Sequence, residues 1–150
     1  MSRPPSPMAL ALAEAEAAGE RGEVPVGAVL TDGTGKVLAA AGNRVEENHD
    51  PTAHAEMLVL RAGAARMGAA RLAECDLWVT LEPCAMCAAA VALTRLRRLY
   101  FGAWDPKGGA AEHGPRLFQQ ASIHHRPEVY GGIEERRAAA LLRAFFRDRR

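Results

Sequence analysis

Two short segments of this chain carry residue types that could do chemistry together. In Thr80-Leu-Glu-Pro-Cys-Ala-Met-Cys, two thiols stand three residues apart directly after a proline. Pro83 sits where a helix would begin after an apolar strand, so Cys84 and Cys87 are expected in its first turn, on one face. The free N–H groups and positive end of a helix favour thiolate over thiol there. Two adjacent thiolates make half of a soft-metal site. The other half lies upstream, where Pro51-Thr-Ala-His-Ala-Glu opens a second helical run with an imidazole and a carboxylate.

A Cys-x-x-Cys pair alone reads as a redox couple or a structural zinc site. Adding His54 makes three N/S donors with one position open, the arrangement of a catalytic zinc site. Glu56 is turned about 200° from His54 along a helix, so the two would not easily ligate one ion. At the helix start Glu56 still reaches the open face. Zinc lowers a bound water's pKa toward about 7, and a carboxylate there can take the proton and pass it on. Cys75 matches no partner spacing and reads as a small buried hydrophobe.

The elements that must position these residues follow from cap, turn and periodicity signals. Ser6 and Pro7 open a helix over 8–18. Residues 24–31 and 36–41 read as a hairpin around the turn Asp32-Gly-Thr-Gly. Thr52 is a candidate N-cap for a helix to about Met67, with Met57, Leu58, Leu60 and Ala64 as its buried side. A strand over 77–81 delivers the cysteines to an Ala-rich helix over 84–93. A strand over 98–102, a loop over 103–115, a turn near 116–120 and a strand over 128–130 follow. An amphipathic helix over 133–147 turns Leu141, Leu142 and Phe145 inward. This order implies one domain, 1–150, of three-layer α/β/α build on a five-stranded mixed sheet: an antiparallel hairpin, then parallel strands joined by crossovers.

Composition bounds the rest. Hydrophobic residues at 49% and charged residues at 25% fit an ordinary globular chain. No apolar run is long enough to span a membrane, and the first residues lack a signal-peptide pattern, so the cytoplasm is expected. Three cysteines, an odd number, argue against a disulfide framework. The net charge of +1 hides an asymmetry: residues 1–60 hold nine acids against four bases, and residues 95–150 six acids against twelve bases. A basic C-terminal third fits a polyanionic partner such as nucleic acid, although solvated arginines produce the same count.

His-Ala-Glu followed by Pro-Cys-x-x-Cys resembles the signature of the zinc-dependent nucleobase and nucleoside deaminases. Within that superfamily the chain resembles the bacterial tRNA-specific adenosine deaminases. The likeness runs through Glu23-Val-Pro-Val-Gly-Ala-Val-Leu, Gly42-Asn-Arg, His49-Asp-Pro-Thr-Ala-His-Ala-Glu, the cysteine segment, Phe101-Gly-Ala-Trp-Asp-Pro-Lys-Gly-Gly-Ala and Phe145-Phe-Arg-Asp-Arg-Arg. The resemblance implies a cytidine-deaminase-like fold and one zinc per chain on His54, Cys84 and Cys87, with Glu56 as proton shuttle. It also implies adenosine-to-inosine conversion at the wobble position of a tRNA anticodon stem-loop, a homodimer with the site completed across its interface, and no organic cofactor. Asn43 and Ala55 would contact the flipped adenine, Asp105 and Lys107 the neighbouring nucleotides, and Phe146, Arg149 and Arg150 the loop backbone. Phe145 is expected inside and Phe146 at the RNA, because adjacent helical residues cannot both point inward. The chain departs from the family pattern at Trp104, at Pro106 and over 112–126. Three rival readings share some of these residues: a deaminase of a free nucleobase, nucleoside or nucleotide, a Cys-x-x-Cys redox protein, and a non-catalytic zinc or RNA-binding module.

Overall fold

A computed structural model of the chain describes residues 4–149. Helix α1 (Pro7–Glu20) is opened by Ser6, whose hydroxyl accepts from the Ala9 N–H. The hairpin β1 (Gly27–Thr31) and β2 (Val37–Gly42) follows, then α2 (Ala55–Met67), β3 (Asp76–Leu81), α3 (Ala85–Thr94) and β4 (Arg98–Ala103). A single 3₁₀ turn, Leu117–Gln119, precedes β5 (Glu128–Tyr130) and α4 (Glu135–Arg147). The sheet order is β2-β1-β3-β4-β5, with β1 antiparallel to both neighbours and β3, β4 and β5 mutually parallel. This is the mixed five-stranded sheet expected from the element order.

Helices α2 and α3 bury Val59, Leu60, Ala88 and Val91 against Leu30, Leu77, Val79, Leu99 and Phe101 on one face. On the other face α1 and α4 bury Met8, Ala11, Leu12 and Ala138 against Val29 and Ala103. Helix α1 can lie this close because it crosses a cross-strand pair of glycines, Gly27 opposite Gly42. A β-carbon on Gly27 would stand 2.0 Å from the Ala11 carbonyl oxygen, and one on Gly42 2.6 Å from that of Glu14. Cys75 is buried, as expected of a small hydrophobe.

Two expectations about α2 need correction. Thr52 does not cap α2: its N–H and hydroxyl both turn back to Asp50 Oδ1, at 2.9 and 2.7 Å, and His54 takes the N-cap position. With the start moved, the buried side of α2 becomes Ala55, Glu56, Val59, Leu60 and Gly63, while Met57, Leu58 and Ala64 are only partly covered. On α4 the inward side holds as read: Leu141 and Leu142 pack half-buried against the core beside the fully buried Ala138, and Phe145 is half-buried.

Candidate active site

The site lies where parallel β3 and β4 end and antiparallel β1 begins, the carboxyl edge at which open α/β sheets place their ligands. Both helices that supply the candidate donors start here. His54 is the N-cap of α2 and Cys84 the N-cap of α3, each in extended backbone and neither making a side-chain cap bond. Cys87, one turn into α3, is fully buried. Cys84 thus stands just before the helix rather than within its first turn. His54 Nδ1 lies 3.6 Å from Sγ of Cys84 and 3.6 Å from Sγ of Cys87, and the three donor atoms fall within 4.8 Å of one another.

These donors hold protons jointly. Hydrogen bonding from the Cys87 thiol, and then from His54, pushes Cys84 down to about 4 despite burial. The same contact with Cys84, together with burial, pushes Cys87 up. Hydrogen bonding to Cys84 raises His54, against the opposing pull of burial. The two thiols are thus pushed in opposite directions by their mutual contact, Cys84 toward thiolate and Cys87 toward thiol. Glu56, in the first turn of α2, is 4% exposed, and burial raises its carboxyl above the usual range.

His54 and Cys84 open into a cleft of about 550 Å³, within the range of small-ligand sites, with Cys87 buried behind them. Its lining includes Val24, Val26, Asn43, Leu81, Asp105, Phe145 and Arg149. Asn43 ties the cleft to the donor helix: its Oδ1 accepts from the Ala55 N–H at 2.8 Å and its Nδ2 donates to the Val24 carbonyl at 3.2 Å. The acceptor that α2 lacks at its own N-cap thus comes from β2's end, and it fixes the peptide next to His54. Ala55 itself is fully buried.

The remaining expected contacts divide. Asp105 and Arg149 line the cleft, while Lys107 is exposed beyond its wall. Phe146 is 53% exposed in a separate shallow groove with Leu142, Arg143 and Arg147, so the aromatic ring lining the cleft is Phe145. The Arg149 guanidinium carbon lies 3.6 Å from the Phe145 ring centroid. Arg150 lies outside the described residues.

Two acids that sequence reasoning left without a role line the same cleft. Glu23 is 2% exposed and accepts from the N–H groups of Glu46 and Glu47 at 3.0 and 2.9 Å, holding the turn after β2. Glu82, also buried, accepts from Asp105, Glu112 and His113. Burial would push Glu82 up, but these donors outweigh it and hold the carboxyl below its ordinary value. No local signal marks either acid, because the partners that make its burial tolerable are backbone N–H groups supplied by later loops.

The chain matches the family model described as the cytidine and deoxycytidylate deaminase zinc-binding region over residues 1–103. It is 56% identical over 143 residues to a tRNA-specific adenosine deaminase of Agrobacterium fabrum, covering 95% of this chain and 93% of that one. A structure solved in studies of A-to-I editing by tRNA:A34 deaminases at the wobble position superposes with a TM-score of 0.89 at 55% identity, covering 91% of this chain and 98% of that one. A guanine deaminase from Nitrosomonas europaea shares the fold at a TM-score of 0.80 but only 24% identity, covering 97% of this chain and 85% of that one.

Proposed function

The chain belongs to the tRNA-specific adenosine deaminases, within the cytidine and deoxycytidylate deaminase zinc-binding family, and from that premise we propose that it hydrolyses adenosine to inosine at the wobble position of a tRNA anticodon. The observation that carries the reading is the convergence of one imidazole and two thiols at a cleft lined by His54, Cys84 and the buried carboxyl of Glu56.

His54 Nδ1 and the sulfurs of Cys84 and Cys87 would hold one zinc per chain; this donor set and its mutual distances fit that ion. When bound, zinc supplies Lewis-acid activation of water. The chain's own residues do the rest. In the net reaction the water oxygen bonds to C6 of adenine, the C6–N6 bond breaks and ammonia leaves. Protons must therefore travel from water to ring N1 and to the departing amino nitrogen. Glu56 is the group placed to carry them, and a carboxyl raised by burial returns a proton more readily than an exposed one. Asn43 Nδ2 has a second hydrogen beyond the one given to Val24 and is the candidate donor to the base. Asp105 and Arg149 would meet the flanking nucleotides and backbone, with Lys107, Phe146 and Arg150 further along the same strand of RNA. An anticodon loop suits such a site because its bases are already nearly unstacked.

The protein would work in the cytoplasm as a homodimer, with α3's small, apolar surface at the interface; sedimentation at micromolar concentration decides between dimer and monomer. The direct test is incubation of zinc-loaded protein with an anticodon stem-loop bearing adenosine at the wobble position, followed by mass analysis of the nucleosides. Inosine should form and should cease on chelation. Unchanged RNA alongside turnover of free guanine or cytosine would move the protein to the free-base deaminases.

A further inference from the structure

Glu82 takes part in no step of the chemistry above, and its surroundings point to another task. It follows β3 directly and precedes Cys84 by two residues. Its side chain is 0% exposed, and both carboxylate oxygens are used twice. Oε1 accepts from the Asp105 N–H at 3.0 Å and meets His113 Nδ1 at 2.7 Å. Oε2 accepts from the N–H groups of Glu112 at 2.9 Å and His113 at 3.0 Å. The Pro83 carbonyl adds a second strap, accepting from the Ala110 N–H at 2.8 Å. The chain passes so close over the carboxylate that a β-carbon on Gly109 would stand 2.6 Å from Oε2. Asp105 folds the outer arc of the same segment, its Oδ1 accepting from the N–H groups of Lys107 and Gly108 at 3.2 and 2.9 Å.

Residues 104–113 are thus wound around one buried anion, and two of them, Asp105 and Gly108, line the cleft. Glutamine is the informative replacement. It keeps the shape but turns one oxygen into an NH₂ that, in either orientation, must face at least one backbone N–H, so at least one of these contacts has to break.

We propose that Glu82 is a positioning residue for the RNA substrate: its carboxylate, closed over by His113, pins the 104–113 segment so that Asp105 and Gly108 stand as the cleft wall against the nucleotides flanking the reacting adenine. This rests on the reading of the cleft as an RNA-deaminating site. It separates Glu82 from Glu56, which acts on the reacting atoms, and from the zinc donors two residues onward.

The test compares full-length, zinc-loaded wild type with Glu82→Gln, Glu82→Asp and His113→Ala, using an anticodon stem-loop as substrate. Zinc content should stay equal to wild type in every variant. Glu82→Gln should raise KM about tenfold, the size of one lost charge-assisted contact, while kcat stays within about threefold. Glu82→Asp, which keeps the charge, should recover part of that loss. Amide hydrogen exchange should accelerate at residues 105, 112 and 113 in Glu82→Gln and stay unchanged in α2. Unchanged KM, a fall confined to kcat, or loss of zinc would each overturn the proposal. If Glu82→Gln does not fold, His113→Ala decides: it leaves three of the four contacts, and a KM equal to wild type would overturn the clamp. A wild type that leaves the RNA unaltered overturns the reading of the cleft instead; the exchange rates at 105, 112 and 113 then decide the pinning separately, without any turnover.

Discussion

At the scale of single residues, the division of labour between donors and shuttle is open to direct tests. Glu56→Gln should keep zinc and fold while lowering kcat by at least about 10²–10⁴-fold, the usual loss for one general acid–base group. Zinc analysis beside single-turnover deamination checks this, and metal loss in that variant would make Glu56 a ligand. Proton counting probes the donors. Cys84 sits at about 4 and is already a thiolate at neutral pH, whereas Cys87 and His54 are both raised. Zinc must displace the Cys87 proton, and the His54 proton in the fraction of molecules that carry it, but none from Cys84, so affinity should climb with pH. Roughly one to two protons should leave at neutral pH, as calorimetry in buffers of different ionisation enthalpy would show. Three protons, or a flat pH profile, would mean the thiols do not share a proton as the geometry indicates. The donor residues were legible in the sequence because the chemistry needs those types at that spacing. Glu82 and Glu23 were not, because their partners are backbone N–H groups supplied by loops far along the chain. No local pattern distinguishes such an acid from a solvated one.

At the scale of elements, the boundaries read from the sequence hold to within a few residues, and the misplacements share a cause. Cap rules weigh neighbours in sequence, so Thr52 scored as the start of α2. The acceptor that serves the start of α2 is Asn43 Oδ1, which takes the Ala55 N–H from the end of another element. The buried stripe of α2 shifted with that start, and burial of the charged Glu56 ran against the hydrophobic pattern. The packing of α1 was equally hidden, since glycines in strands ordinarily mark weakness rather than close approach. Here Gly27 admits the helix backbone itself. Gly27→Ala should therefore destabilise the protein by about 1–3 kcal/mol through overpacking, measured by denaturant unfolding of the zinc-loaded form. An unaltered midpoint would mean α1 can lift away without loss.

At the scale of the molecule, the charge asymmetry gains a location. The basic C-terminal third brings Arg149 to the cleft, where it lies over Phe145 beside the residues that follow α1. Arg149→Ala should raise KM for RNA and reduce the slope of log KM against log salt by roughly the one phosphate contact removed. Equal salt dependence in wild type and variant would place the RNA elsewhere. The parallel pairing of β3 with β4 was readable because a crossover helix joins them, and a connection too long for a tight hairpin left β5 free to be parallel as well. The order β2-β1-β3 was not, since nothing local says which edge of a hairpin the next strand joins. That order has a consequence during synthesis. Residues 7–42 can assemble as α1 on its hairpin before the cysteines exist. Until residues 76–81 emerge, β1 then presents one bare edge of a strand that is buried throughout in the finished protein. An unpaired edge of that composition is a template for pairing with other chains. The growing polypeptide is therefore expected to be open to aggregation in the interval between its second and third strands, an interval that closes just before Cys84 and Cys87 are made.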